Sequence, residues 1–259
     1  MKIHFYKYQG TGNDFIMIDN RTEFFPKQNT QLIKKICDRR FGVGGDGLIL
    51  LENHQCYDFQ MIYYNSDGNE STMCGNGGRC LVAFAHFLNI FERKTTFNAI
   101  DGHHEAEIQG SIVKLKMIDV EDIQQINDDY ELNTGSPHFV KYVENVENFD
   151  VYKNGYEIRN SPAYPEGINV NFVSKIADNE IFVRTYERGV EDETYSCGTG
   201  VTASCLTWMK NFNLDEVVVK TLGGNLKVYA EKNENGFKNI WLEGPAKQVF
   251  EGHFEFEND

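Results

Sequence analysis

The sequence contains no long hydrophobic run. Its longest apolar stretches are LILL at residues 48–51 and LVAFA at residues 81–85, whereas a membrane-spanning helix needs about 20 apolar residues. The N-terminal stretch MKIHFYKYQGTGND lacks the apolar core of a secretory signal peptide. We therefore expect a soluble, cytoplasmic protein that has no membrane partner.

Basic residues are scarce as well. The 259 residues include 25 lysines and arginines against 39 aspartates and glutamates, which gives a net charge of −14. Nucleic-acid-binding proteins usually carry a basic patch or stripe, and an acidic surface repels phosphates. The composition therefore argues against a nucleic acid as a partner and fits a globular protein of one large or two ordinary domains.

Closely spaced cysteine pairs are also missing. Six cysteines occur, at positions 37, 56, 74, 80, 197 and 205, and none of them forms a C-x-x-C pair. Structural zinc sites normally need such pairs, and a disulfide framework is not expected without a secretory signal. The sequence therefore predicts no metal site, and burial as a small hydrophobic side chain is the ordinary expectation for each cysteine.

A glycine-rich loop, FGVGGDG, lies between a predicted helix and a predicted strand. The helix covers residues 30–40 with Thr30 as its expected N-cap, and the strand LILLE follows the loop. The loop matches G-x-G-x-x-G, but a dinucleotide fingerprint needs the order strand, glycines, helix. The reversed order predicts a tight turn with positive φ angles instead.

The chain repeats one arrangement in its two halves. In the first half the strand YDFQMIYYN and a polar stretch precede CGNGGRC, which opens a largely apolar helix. In the second half the strand EIFVRTYE and the polar loop RGVEDETY precede SCGTGVTASC, which opens another. The alignment places Cys74-Gly75-Asn76-Gly77 on Cys197-Gly198-Thr199-Gly200. This pattern predicts an internal duplication with a boundary near residue 119.

Both C-G-x-G segments set a thiol at the start of a helix. The first N–H groups of a helix have no acceptor within it and carry partial positive charge, so glycines let an anionic ligand reach them. The same environment lowers the pKa of a thiol. A thiolate and a thiol on two such helices suit amino-acid racemisation, because one removes the α-proton and the other protonates the opposite face.

At these residues the sequence resembles the diaminopimelate epimerase family. The resemblance runs nearly from end to end and is carried by a set of segments in the family's order. They are GTGNDFIMID, NSDGNESTMCGNGGRC, GINVNFV, YERG, CGTGVTAS, GGNLKV and EGPA.

The resemblance implies an isomerase that interconverts LL- and meso-2,6-diaminopimelate without pyridoxal phosphate or another cofactor, in lysine and peptidoglycan biosynthesis. It also implies a homodimer. The implied fold is mixed α/β, with two pseudo-symmetric domains, each a curled mixed β-sheet or barrel around a central helix, and the active site in the cleft between them. Residues 1–118, to which a strand at 250–259 returns, are the expected N-terminal domain, and residues 119–249 the C-terminal one.

The resemblance also implies the site residues. Cys74 and Cys197 match the two catalytic cysteines. The reacting carboxylate is expected at the amides of Gly75, Asn76, Gly198 and Thr199. The other substrate-binding positions are matched by Asn13, Asn65, Asn169, Glu187 and Arg188. The types suit the substrate, because a guanidinium holds a carboxylate with a bidentate fork and Asn or Glu oxygens accept from ammonium groups. The alternative stays open that Asn13 and Asn65 only form turns and that Glu187 and Arg188 are solvated surface charges.

Three departures from the family pattern fall near these positions, and one of them is Gly47, which stands where some members of the family have glutamine. Ser136 stands where the family usually has asparagine, so its role as a ligand is a weaker expectation. The loop before Cys197 is one residue longer than usual and contains Glu191 and Asp192. His138 is either a supporting residue of the site or a structural histidine. Cys80 and Cys205 are expected in the core.

Two other functions remain open at this point. The first is a related racemase or epimerase that acts on proline or histidine, although a Glu–Arg pair favours a substrate with a second amino-acid end. The second is a small-molecule binder that has kept the scaffold but not the activity. Retention of both C-G-x-G segments argues against the binder.

Overall fold

The computed structural model describes residues 1–256 of the chain. They divide into two units: the first joins Met1–Leu115 to the C-terminal segment that begins at Pro245, and the second is Lys116–Gly244. Of the strand expected at 250–259, residues 257–259 lie outside the described residues. Among residues 1–256, no helix is long and apolar enough to cross a membrane.

Strands dominate both units. The first part of the chain forms β1 (Lys2–Gly10), β2 (Asn13–Asp19), α1 (Thr30–Cys37), β3 (Gly47–Glu52), β4 (Phe59–Asn65), α2 (Gly75–Phe87), β5 (Lys94–Ala99), β6 (Gly102–Gln109) and β7 (Ile112–Lys116). The next part forms β8 (Ile123–Ile126), β9 (Asp129–Asn133), β10 (Pro137–Tyr142), α3 (Val151–Arg159), β11 (Asn169–Ala177), β12 (Glu180–Glu187), β13 (Asp192–Thr194), α4 (Gly198–Phe212), β14 (Glu216–Thr221), β15 (Gly224–Lys232) and β16 (Phe237–Pro245). The last strand, β17 (Lys247–Glu255), pairs antiparallel with β1 in the first unit.

The two units repeat one order of strand pairing. In the first, β1–β2 is antiparallel, β2–β3 parallel, β3–β4 antiparallel and β4–β5 parallel, and β5, β6 and β7 continue antiparallel. In the second, β9–β10 is antiparallel, β10–β11 parallel, β11–β12 antiparallel and β12–β14 parallel, and β14, β15 and β16 continue antiparallel. The mixed α/β fold and the predicted duplication are confirmed.

The shared register defines equivalent positions in the two units. Phe15 pairs with Gly47 across β2 and β3, as His138 pairs with Asn169 across β10 and β11. α2 follows β4 in the first unit as α4 follows β12, with a short strand between, in the second. Residues that share a place in these two series are called equivalent below.

Each unit has a central helix. α2 contacts β1, β2, β3 and β6, and α4 contacts β10, β11, β12, β14 and β15. Buried residues lie on nearly all sides of both helices, as expected for helices that are apolar all round. The starts of these two helices therefore have positions set by the strands around them.

Helix α1 differs in detail from the sequence-based prediction. Its N-cap is Asn29 and not Thr30, because the Asn29 side chain accepts a 3.0 Å hydrogen bond from the Leu32 N–H. The helix ends at Cys37 and not at residue 40, since Asp38 is extended and its carboxylate accepts from the next turn. Gly44 has a φ of +81°, so the glycine loop is the predicted helix-to-strand turn.

Candidate active site

Cys74 and Cys197 occupy the same structural position. Both are N-cap residues with extended backbones, and neither side chain caps its own helix. The first helical hydrogen bonds run from Gly78 N–H to the Cys74 carbonyl at 2.7 Å and from Val201 N–H to the Cys197 carbonyl at 2.8 Å. The N–H groups before them have no acceptor within the helix, so each helix start is suited to binding an anion.

The glycines inside these helices serve packing. A methyl group at Gly77 would lie 3.2 Å from Ile49 Cδ1, and one at Gly78 would lie 2.9 Å from Met73 Sδ. At Gly200 it would lie 2.2 Å from an oxygen of Asn171. Close contacts with the core therefore explain part of the glycine cluster. A ligand is expected to reach only the amides at the very start of each helix.

In the first unit the structure brings Asn13 and Asn76 together. The Asn76 amide nitrogen donates to Asn13 Oδ1, and Asn13 Nδ2 donates to Asp46 Oδ2 at 2.9 Å. Asn76 Oδ1 accepts from Arg79 Nη2 at 2.9 Å and from Thr11 Oγ1 at 3.3 Å. The side chains of both asparagines are thus held in fixed orientations beside the start of α2.

Asn65 lies at the end of β4, opposite Gly47 on β3. Its backbone closes a turn, with its N–H donating to Asn69 and its carbonyl accepting from Gly68, both at 2.9 Å. Gly47 is equivalent to Asn169, but a side chain there is excluded because a methyl group would lie 2.5 Å from the Tyr63 ring. The Tyr63 hydroxyl, 3.2 Å from that methyl position, fills the space instead.

In the second unit the structure joins Ser136, His138, Asn169, Thr199 and Cys197. Ser136 Oγ lies 2.9 Å from His138 Nε2 and 3.3 Å from Thr199 Oγ1, and it accepts from Asn169 Nδ2 at 3.2 Å. Cys197 Sγ lies 3.4 Å from Thr199 Oγ1. Ser136, the departure from the family pattern, is therefore at the centre of this network.

His138 is fully buried and held by its neighbours as a neutral ring. Burial, with a smaller contribution from the charge of Arg188, lowers its pKa to about 3. Asn171 Nδ2 donates to His138 Nδ1 at 3.1 Å, so the ring proton is on Nε2 and points to Ser136. A neutral donor of this kind orients Ser136 without adding charge.

Glu187 is the last residue of β12 and Arg188 follows it, and both are tied to other parts of the second unit. Arg188 N–H donates to Asn169 Oδ1 at 2.9 Å, and its guanidinium donates to the Gly167 carbonyl at 3.4 Å. Thr194 Oγ1 donates to Glu187 Oε2 at 3.0 Å. The predicted ligands Asn169, Glu187 and Arg188 therefore lie within one hydrogen-bonded region.

The longer loop before Cys197 is ordered by its extra acidic residues. Glu191 takes a left-handed φ of +58°, and its carboxylate accepts from Arg159 at 2.9 and 3.1 Å. The segment predicted as a polar loop contains β13, which pairs with β12. Arg159 also packs on Gly167, where a methyl group would lie 2.0 Å from its Nη1. Arg159 therefore links the turn at Glu191 to the loop at Gly167, and the Gly167 carbonyl is the one that accepts from Arg188.

The remaining cysteines differ in environment. Cys80 and Cys205 are fully buried, as predicted, and burial raises the pKa of the Cys80 thiol to about 12 and that of Cys205 well above its usual value. Cys37 is also buried. Cys56 is exposed, so the expectation of burial was wrong for it. Within residues 1–256, no cluster of three His, Cys, Asp or Glu side chains is arranged to bind a metal.

Several residues of these hydrogen-bond networks were not predicted from the sequence. Arg79 and Asn171 carried a usable signal, since each is a polar residue inside an otherwise apolar helix or strand and must find partners when buried. Asp46 and Arg159 carried none, because their partners lie far away in the chain.

Comparisons with known proteins agree over nearly the whole chain. A family model described as diaminopimelate epimerase matches residues 5–119 and 130–249. The diaminopimelate epimerase of Flavobacterium psychrophilum is 57% identical over 95% of this chain and 98% of its own length. A crystal structure of the Bacillus anthracis phenazine biosynthesis protein of the PhzF family has a TM-score of 0.79 at 14% identity, covering 99% of this chain and all of that one. A hydroxyproline epimerase from Agrobacterium vitis has a TM-score of 0.70 at 12% identity, covering 97% and 92%. The two structures show a shared fold.

Proposed function

This chain belongs to the diaminopimelate epimerase family, and we propose that it interconverts LL- and meso-2,6-diaminopimelate by acid–base chemistry at Cys74 and Cys197. The thiolate of one cysteine removes the α-proton, and the thiol of the other delivers a proton to the opposite face of the α-carbon. The observation that carries the proposal is the matched placement of the two sulfurs, each at the N-cap of the central helix of one repeat. The chain is accordingly an isomerase.

The helix starts stabilise the charge that forms in the reaction. When the α-proton leaves, negative charge moves into the adjacent carboxylate, and fixed amides stabilise such charge. The amides at Gly75, Asn76, Gly198 and Thr199 belong to the first turns of α2 and α4. In this mechanism they take the part that an electron-accepting cofactor takes elsewhere, so we propose that the reaction needs none.

The far end of the substrate is recognised by polar side chains. Arg188 binds the distal carboxylate, because its guanidinium offers two parallel donors and its backbone is held by Asn169. Glu187 and the asparagines Asn13 and Asn65 accept hydrogen bonds from the ammonium groups. This second amino-acid end distinguishes diaminopimelate from proline.

We also propose a cytoplasmic homodimer, active in lysine and peptidoglycan biosynthesis. Val249 and Phe250 on β17 are 57% and 47% exposed, and large exposed apolar side chains can mark a contact with another protein. Light scattering after size-exclusion chromatography measures the mass directly. A monomer at micromolar concentration would refute the dimer and leave the catalytic proposal untouched.

Incorporation of solvent deuterium at the α-carbon of LL-diaminopimelate tests the reaction. We expect exchange and conversion to the meso form by the pure protein with no added cofactor. Absence of exchange, with proline and hydroxyproline also inert, would favour a non-catalytic binder. Exchange of proline alone would favour a related racemase.

Three serine variants test the assignment of the two cysteines. Cys74→Ser and Cys197→Ser are each expected to lose most epimerisation, since a hydroxyl with a pKa far above that of a thiol is a poor acid or base at neutral pH. Cys56→Ser is the matched control, because Cys56 is exposed and lies outside both networks. Near-normal turnover by either of the first two variants would contradict the two-cysteine mechanism.

A further inference from the structure

A buried cation distinguishes the Cys74 end of α2 from the Cys197 end of α4. Arg79 is fully buried, and its hydrogen bonds go to neutral groups: the Thr11 hydroxyl at 3.0 Å, the Asn76 side chain at 2.9 Å and the Gly75 carbonyl at 3.4 Å. In the described part of the chain its Nε has no hydrogen-bond partner, and no carboxylate forms an ion pair with it. Its positive charge is therefore not neutralised by a permanent acidic partner.

The equivalent residue in α4 is uncharged. Arg79 and Thr202 each follow the N-cap cysteine by five positions, and each is fully buried. Thr202 Oγ1 donates to the Gly198 carbonyl at 2.9 Å, as Arg79 donates to the carbonyl of Gly75. The same position of the helix thus holds a cation in one repeat and a hydroxyl in the other.

We propose that Arg79 makes Cys74, and not Cys197, the cysteine that is ionised in the resting enzyme. The proposal rests on the two-cysteine function above and assigns which sulfur is the base at rest. A positive charge near a thiol favours its thiolate, and the effect is strong where the charge is shielded from water. Arg79 is a positioning residue, since it acts through Cys74 and through the orientation of Asn76.

Two thiols lie within electrostatic range of Arg79, and only one is available for ionisation. Burial lowers the pKa of Arg79. Negative charge on Cys80 or on Cys74 acts in the opposite direction and raises it. Burial raises the pKa of Cys80 to about 12, so Cys80 stays a thiol at neutral pH. The charge of Arg79 therefore acts mainly on Cys74.

Other charged groups do not reverse this difference. The charges on and beside β1 and β2 form a balanced network of two cations and two anions, made of Lys7, Arg39, Asp14 and Asp46. Other titratable groups near α2 are Asp101, which accepts from the Met73 N–H and pairs with His104, Glu251 on β17, Tyr6 and Tyr8, whose rings pack on Phe84, and His86 of α2 itself. At the start of α4 His138 is neutral, and Glu187 and Arg188 carry opposite formal charges.

Alkylation of the unmodified, reduced enzyme by iodoacetamide tests the proposal directly. Peptide mass spectrometry follows each cysteine from pH 5 to pH 9, and the midpoint of each rate profile gives the ionisation of that thiol independently of its accessibility. The exposed Cys56 is the internal reference. We expect the Cys74 midpoint about one pH unit or more below that of Cys197. Equal midpoints, or a lower one for Cys197, would overturn the proposal.

Substitutions then test the part played by Arg79. Arg79→Met is expected to raise the Cys74 midpoint by about one unit, which lowers the rate of alkylation about tenfold at a pH well below both midpoints. Arg79→Lys is expected to restore most of the shift, and the matched change Thr202→Val to leave the Cys74 midpoint unchanged. An unchanged midpoint in folded Arg79→Met would overturn the proposal, and if that variant does not fold, the profile of the unmodified enzyme decides.

The alkylation experiment and the deuterium experiment can fail separately. Deuterium exchange with equal cysteine midpoints would leave the two-cysteine function standing and remove the part assigned to Arg79. A low Cys74 midpoint in a protein that exchanges no α-proton would leave the part assigned to Arg79 standing and refute the two-cysteine function.

Discussion

A methyl group at Gly200 is expected to destabilise the second unit. It would lie 2.2 Å from Asn171 Oδ1, far inside contact distance. Asn171 cannot turn away at low cost, because its Nδ2 donates to the Phe139 carbonyl at 3.0 Å and to His138 at 3.1 Å, and its Oδ1 accepts from Thr185 at 2.9 Å. Either α4 moves away from β11 or this buried network breaks.

The magnitude follows from three contributions. Overpacking of a core costs about 1–3 kcal/mol, and one weakened buried hydrogen bond costs about 1 kcal/mol more. Replacing glycine by alanine in a helix returns about 1 kcal/mol. We therefore expect Gly200→Ala to lower the free energy of unfolding by about 2 kcal/mol.

The equivalent change in α2 is the matched control. A methyl group at Gly77 would lie 3.2 Å from Ile49 Cδ1 and 3.4 Å from the Phe15 ring. The closest atom is the flexible end of a side chain, so a small rearrangement relieves the contact. The gain in helix propensity then offsets the remaining strain, and Gly77→Ala is expected to change stability by less than about 1 kcal/mol.

Urea denaturation followed by far-UV circular dichroism measures both variants. Tryptophan fluorescence is unsuitable, because the chain has two tryptophans and both, Trp208 and Trp241, belong to the second unit. Equal midpoints for Gly200→Ala and the unmodified protein, or a larger loss in Gly77→Ala, would refute the argument from the Asn171 network.

Three further outcomes are expected. Arg159→Met is expected to raise KM for diaminopimelate about fivefold with a smaller change in kcat, since Arg159 joins the Glu191 turn to the loop that binds Arg188. A fall in kcat by the same factor as the rise in KM would indicate general damage to the fold. The Tyr63 hydroxyl takes the place equivalent to the predicted ligand Asn169, so Tyr63→Phe is expected to raise KM a few-fold by removing one hydrogen bond to the substrate, and an unchanged KM would exclude that contact. His138 has a pKa near 3 when folded and about 6.5 when unfolded, so its contribution to stability is complete above pH 6.5 and is lost as the pH falls towards 3. Urea titrations should show a slope of about 1.4 kcal/mol per pH unit in that range that is absent from His138→Gln.

The sequence was sufficient for the repeated features of the fold. Alternating apolar residues identified β1 and β12, and the apolar helices after each C-G-x-G segment are α2 and α4. The duplication followed because both halves carry the same local signals in the same order. Local signals were weaker at element ends, where Asn29 and not Thr30 caps α1.

The candidate site could be predicted only as a set of residue types. Cys74 and Cys197 were identifiable because a thiol directly before glycines at a helix start is typical of a reactive cysteine. The sequence could not show that Ser136 joins His138 to Thr199, or that Asp46 holds Asn13. Apart from the contact of Ser136 with His138, which are two positions apart, these contacts join residues that are far apart in the chain, and no periodic pattern encodes them.

By itself the sequence determined the two-fold repetition, the placement of one thiol at the start of each central helix, and membership of a family. Those features depend on residue order over short distances, where hydrophobic periodicity and helix geometry act. The sequence also places arginine at 79 and threonine at 202, but the tertiary structure alone decided that both are buried, so that one repeat holds a cation shielded from water and the other a neutral hydroxyl. That difference arises from burial, because an arginine matters to a neighbouring thiol chiefly when water does not screen it.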